Sequence, residues 1–151
     1  GKSWRYVYEW FRKNKVTTNE LLVLDTSPYD TRVEADVQQV VLRNRDVNAR
    51  FKSPILKQLK NFCHKNNIPF SCKDTFIQDK NKIRKEKGLS LLTLGSTELG
   101  RIVMESKGTI QGTTLQIPTT GYHTVEETAS IKAVKAILHI LSSFYIDNKK
   151  A

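Results

Sequence analysis

The chain predicts a mixed α/β fold: a mainly parallel sheet with helices on both faces. Three observations carry that expectation. Short apolar or β-branched runs alternate with stretches whose apolar residues recur at helical spacing. After a first helix, the order reads strand, strand, helix, strand, helix, strand, helix, an alternation that favours a sheet covered by helices. Finally, 151 residues, 38% hydrophobic and 26% charged, make one ordinary globular domain, which at this length buries about two-thirds of the surface its unfolded chain exposes.

Taken in order, Trp4 to Arg12 is helical, with Trp4, Val7, Tyr8 and Phe11 at i, i+3, i+4 and i+7. Leu21-Leu22-Val23-Leu24 is an all-apolar run ending at Asp25 and followed by Thr26-Ser27-Pro28. It reads as a buried central strand stopped by turn chemistry. Val37 to Leu42 is a second β-rich stretch, closed by the polar loop Arg43-Asn44-Arg45-Asp46. Pro54 suits the first turn of a helix whose apolar stripe is Ile55, Leu56, Leu59 and Phe62. Ile68 to Cys72 is a further strand. Gly95-Ser96-Thr97-Glu98 is a turn or helix start, and Leu99 to Met104 continues as helix. Thr113 to Ile117 is the last strand, closed by Pro118. Thr124-Val125-Glu126-Glu127 has the hydroxyl-x-x-carboxylate order of a capping box, so the last helix is expected to begin there.

Composition narrows the function classes. No apolar run approaches the roughly 20 residues of a membrane-spanning helix. Trp4 to Lys13 mixes aromatics with charges, unlike a signal peptide. A cytoplasmic protein is the expectation, with Cys63 and Cys72 as reduced thiols, since their spacing is not that of metal ligands. The net charge of +10 draws attention to Lys80, Lys82, Arg84, Lys85 and Lys87. Such a run grips phosphates, but it lacks interleaved aromatics for base stacking, and a solvated loop is the expectation. Nucleic-acid binding through residues 80–87 stands as an alternative function.

In open α/β sheets functional groups collect where strands run out into loops. Asp25, at the end of the first apolar run, and His123, between the last strand and the last helix, occupy such places. Carboxylate and imidazole suit zinc or cobalt. On residue type alone, an Asp in the place of Asp25 is more often a turn residue than a ligand, and a His in the place of His123 is more often a flanking group of the helix.

The order of segments adds a resemblance. Leu24-Asp25-Thr26-Ser27-Pro28, then Gly95-Ser96-Thr97-Glu98, then Ile117-Pro118-Thr119-Thr120-Gly121-Tyr122-His123-Thr124-Val125-Glu126 resembles the glutamyl and deblocking aminopeptidases, relatives of the co-catalytic zinc exopeptidases. That family writes a metal-binding Asp at a strand end, a Gly-Gly-Thr-Asp-Ala turn, and an Ile-Pro-Thr-Arg-Tyr-x-His-x-x-x-Glu stretch with the last metal-binding His. The likeness spans residues 20 to 145. Here Thr120-Gly121 replaces the family's Arg, Glu98 stands where it has Asp, and a basic stretch precedes Gly95.

The resemblance implies that Asp25 ligates one metal and His123 the other, with Thr97, Glu98 and Tyr122 near a peptide substrate. It also implies two zinc or cobalt ions in the whole enzyme, a general-base Glu upstream, and a possible homo-oligomer. The family's first His, bridging Asp and Glu-Glu pair are not found before Asp25. With Gly1 as first residue, the expectation is that residues 1–151 form the C-terminal portion of a metallopeptidase-like catalytic domain whose upstream half is absent. One protein ligand per metal is too few for a stable site. The isolated chain is therefore expected to hold no metal tightly and to have no catalytic residue of its own. A non-catalytic interaction module built on the same sheet is the competing reading.

Overall fold

The protein, described here from a computed structural model, is seen over residues 2–146. Six helices and five strands alternate along it: α1 Ser3–Lys13, β1 Thr18–Pro28, α2 Arg32–Asp36, β2 Val40–Leu42, α3 Pro54–Lys65, β3 Phe70–Cys72, α4 Lys73–Glu86, α5 Glu98–Glu105, β4 Ile110–Thr120, β5 Thr128–Ala129 and α6 Ile131–Leu141, followed by a π-turn at Ser142–Ile146.

The strands join in one sheet in the order β1-β4-β2-β3, with β5 paired to β4. β1 and β4 run the same way: Leu21 lies beside Gly112, Asp25 beside Gln116, and the Tyr29 N–H donates to the Thr119 carbonyl. β2 and β3 also run the same way, with the Val40 N–H on the Pro69 carbonyl and the Asn44 N–H on Asp74. β2 meets β4 antiparallel (Val41 opposite Gln116), as does β5 (Thr119 opposite Ala129). The long β1–β4 ladder makes most of the paired length parallel. The fold is thus the expected mixed α/β type, a mainly parallel sheet flanked by helices.

The chain forms two compact units, and β1, β3, β4 and α3 contribute residues to both. The first comprises the segments up to Val23, 43–56 and 72–114. Its core has Trp4 of α1 against Ile102 and Ile110, with Tyr8, Phe11 and Leu21 packed around them. Beside it Phe51, Leu99 and Val103 gather Leu21, Val23 and Ala49. Of the expected α1 stripe only Val7 stays exposed. The second unit comprises 24–42, 57–71 and the segment from Leu115 onward. Val40, Val41 and Leu42 of β2 are fully buried there, as are Leu59, Leu115 and Ile140. These β2 residues show no alternation because both faces of the strand are covered.

Six expectations differ from the structure. The Leu21–Leu24 run is no buried central strand but part of β1, a half-buried strand at the end of the sheet order. The strand expected to close at Pro118 runs on to Thr120 and is followed by β5. Arg32–Asp36 is helical, capped by the Thr31 hydroxyl accepting from the Glu34 N–H, so the strand expected from Val37 starts only at Val40. The basic run is part of helix α4 rather than a loop. Lysine and arginine are good helix formers, and the run ends at the helix-stopping Gly88 (φ +65°). Asp25 lies inside β1, which continues to Pro28. The last helix starts at Ile131, behind the Ser130 cap, and not at Thr124.

Candidate functional site

His123 occupies the loop of a hairpin. β4 and β5 close at the Thr120–Thr128 pair, leaving residues 121–127 as the connection. Two residues enter the left-handed region, Gly121 (φ +70°) and His123 (φ +61°). At Gly121 a Cβ would come 2.7 Å from the Glu126 carbonyl oxygen, so glycine is required for space as well as for φ. The residues that read as a capping box close this loop instead. The Thr124 hydroxyl donates to the Gly121 carbonyl (2.7 Å) and accepts from the Glu126 N–H (3.2 Å). The Glu127 carboxylate reaches back to accept from the Thr119 hydroxyl (2.9 Å) and the His123 N–H (3.3 Å). A hydroxyl and a carboxylate three residues apart satisfy backbone donors in a turn as well as at a helix start, which is why the pattern misplaced the helix.

The His123 imidazole is exposed and stacks on the exposed Tyr122 ring at 3.8 Å between centroids, 22° from parallel. Among the described residues, no hydrogen bond to either ring nitrogen is seen.

Asp25, in the same unit, is held by its neighbours. Its Oδ1 accepts from the Thr26 N–H (2.8 Å), and its Oδ2 accepts from the Gln116 side-chain amide (3.1 Å). Gln116 is fully buried and also donates to the Thr26 carbonyl (2.9 Å). The carboxylate is therefore aimed by a rigid partner, and each oxygen keeps a lone pair for a cation. Asp25 borders an apolar groove of about 150 Å³ formed with Leu24, Leu115, Ile117, Val134 and Leu138.

Thr97 and Glu98 belong to the other unit. Buried Thr97 caps α5: its hydroxyl accepts from the Gly100 N–H (3.0 Å) and donates to Asp46 Oδ2 (2.9 Å). Glu98 accepts from the Ser3 hydroxyl and lines a cleft with Trp4, Ser96, Thr97 and Arg101. Asp46 is the residue that sequence reasoning passed over as part of a polar loop. It is buried, and its carboxylate accepts five hydrogen bonds: from the Asn48 and Ala49 N–H groups, the Asn48 amide, and the Thr97 N–H and hydroxyl. A Cβ on Gly100 would overlap that carboxylate. The local signal was the Asp-x-Asn spacing of Asp46 and Asn48, which favours a side-chain-closed turn.

Cys63 is buried and Cys72 partly so, both free thiols. Burial pushes the Cys63 thiol up to about 11, the mark of an inert packing group.

A zinc or cobalt ion needs three or four ligands. Among the described residues no group of three His, Cys, Asp or Glu side chains is placed to hold one. Asp25 and His123 each suit a single ligand position, but together they do not make a metal centre, and no reaction step is derived through one.

No protein-family model matches the chain, and no curated protein does. Among solved structures it is similar to PhTET1-12s, described as a dodecamer in the asymmetric unit: TM-score 0.59, 14% identity, over 89% of this chain and 35% of that one. The chain therefore spans about a third of the length of that neighbour. At this identity the likeness is one of fold alone.

Proposed function

We propose that this chain is the C-terminal segment of a metal-dependent aminopeptidase-type domain. In this reading Asp25 and His123 each serve one of two zinc or cobalt ions in a longer parent chain, and the remaining ligands and the general-base carboxylate come from elsewhere in it. The parent releases N-terminal residues from peptides, with Tyr122, beside His123, near the substrate; the substrate roles that the resemblance gives to Thr97 and Glu98 are a separate proposal for the first unit. The isolated 151-residue chain is inactive and binds metal weakly. The observation that carries the reading is the shared fold over 89% of the chain, with the Ile117–Glu126 motif lying in the β4–β5 hairpin.

The preset orientation of Asp25 by Gln116 supports its ligand role. The dodecameric state of the neighbour makes a homo-oligomer part of the proposal. Free thiols support a reducing compartment. No helix among the described residues is long and apolar enough to cross a membrane.

The test is hydrolysis of aminoacyl-anilides by the parent chain, with and without a chelator, alongside its Asp25→Asn and His123→Ala variants. Each substitution is expected to reduce metal occupancy and activity on the order of tenfold or more. Full activity of either variant overturns its ligand role, and turnover by the 151-residue chain alone overturns the segment reading.

One observation favours a second reading. Asp25 already accepts two hydrogen bonds and could serve the sheet alone, as in a non-catalytic peptidase-like interaction module. In that case Asp25→Asn lowers stability and leaves metal binding by the parent unchanged.

A further inference from the structure

Helix α1 presents two faces of different use. Inward, Trp4, Tyr8 and Phe11 pack into the first unit's core. Outward, Lys2, Tyr6, Trp10 and Lys13 follow one another at i, i+4, i+8 and i+11, so they form one stripe along the helix. Its length is about 16 Å. The two rings are open to solvent, Tyr6 at 79% and Trp10 at 57% exposure, with a lysine at each end. Residues 2–15 hold five cationic side chains against one carboxylate. That carboxylate, Glu9, is engaged by Arg12 (2.7 Å) and sits below the usual carboxylate range because of it. Asn14 adds a side chain that folds back onto the Trp10 carbonyl (2.8 Å) and finishes the helix.

Large aromatics exposed in adjacent turns, bracketed by exposed lysines, form a surface for an anion with flat faces. A single-stranded nucleic acid is such a partner: bases stack on the rings and phosphates meet the lysines. A lipid surface fits less well, because an interfacial helix buries a whole apolar face and here that face is turned into the core. Besides Tyr6 and Trp10, α1 offers only the marginally exposed Val7 (39%), and its other apolar residues are spent on the core. The cationic α4 run differs in kind. Its exposed apolar residue is Ile83, which has no stacking face, and its Phe76 ring lies beneath Lys73 and Lys80.

We propose that the outward stripe of α1 binds single-stranded nucleic acid, with Tyr6 and Trp10 as stacking platforms and Lys2 and Lys13 as phosphate contacts. The chain's net charge of +10 strengthens the approach of any polyanion.

The experiment titrates the 151-residue chain with labelled oligo-uridine and oligo-thymidine of about 16 nucleotides, at several salt concentrations. In parallel it is titrated with vesicles of phosphatidylcholine and phosphatidylserine. Expected is salt-dependent binding to an oligonucleotide, and the tighter of the two identifies RNA or DNA as the source. Trp10→Ala weakens it on the order of tenfold, and Trp10→Phe, which keeps a ring, restores most of it. The pair Lys2→Gln and Lys13→Gln flattens the slope of log K against log salt by about 1.4. All four side chains are exposed, so the variants keep the fold, and circular dichroism checks this. The proposal is overturned by absence of oligonucleotide binding, by binding that Trp10→Ala leaves unchanged, or by vesicle binding in its place.

Discussion

The His123 loop and the Asp46 network use the same chemistry, a carboxylate gathering backbone and hydroxyl donors, at opposite ends of the range of sequence separation. Glu127, half-buried, ties together residues within eight positions of itself, buried Thr119 and exposed His123. Asp46 ties its own loop to Thr97, 51 positions away, and does so buried. The difference lies in what water offers when the tie is cut. At Glu127 solvent can take over at the exposed His123 N–H, and only the Thr119 hydroxyl is a buried donor, whereas Asp46 holds five hydrogen bonds at a buried site. Asp46's partners include the buried Thr97, and an unsatisfied buried donor costs about 1–3 kcal/mol. One region therefore sets local shape, and the other sets stability.

Variants test that contrast. The largest effect is expected for Asp46→Ala, a loss of about 3 kcal/mol or more in urea denaturation, since several donors lose their acceptor at once. Gly100→Ala attacks the same network from the other side and should lose a similar amount. Either variant unfolding at the native midpoint would show that the network is not a stability element. Next comes Gly121→Ala, at about 1–2 kcal/mol from a forced left-handed alanine and the clash with the Glu126 carbonyl. Ser130→Ala should cost about 1 kcal/mol as the true cap of α6. Thr124→Ala should cost about half of that, because its hydroxyl closes only an exposed turn. The reverse order would restore the helix start to Thr124. Smallest is His123→Ala, within about 0.5 kcal/mol for an exposed side chain. A larger loss would mean that the imidazole packs rather than waits for a ligand.

The same contrast explains how far the sequence could be read. Elements with a clear local signal were legible: α1 and α3 fall where apolar spacing puts them, α5 follows the turn at Gly95, β2 and β3 lie within the expected runs, and β4 contains its own. Errors came where one local pattern serves two structures. Thr124 to Glu127 satisfies a turn with the groups that would cap a helix. Lys80 to Lys87 is polar enough for a loop, yet nothing in it opposes a helix until Gly88. The five-residue α2 was missed because the apolar signal of so short a helix is a single buried Ala35. Of the site, the loop position of His123 was legible but its hairpin was not, because the strand that closes it, Thr128–Ala129, is only two residues long. The role of Asp46 was not, because a carboxylate that meets its partner 51 residues later leaves no periodic trace.

The left-handed backbone at His123 bears on how its purpose should be tested. An L-residue there holds about 1 kcal/mol of conformational strain that glycine would not, while glycine's extra freedom in the unfolded chain offsets a similar amount. His123→Gly is therefore close to neutral for folding and removes the imidazole entirely. At most positions a lost activity leaves open whether chemistry or integrity failed. Here the backbone separates the two: a glycine variant that folds like the parent and binds less metal reports on the imidazole alone.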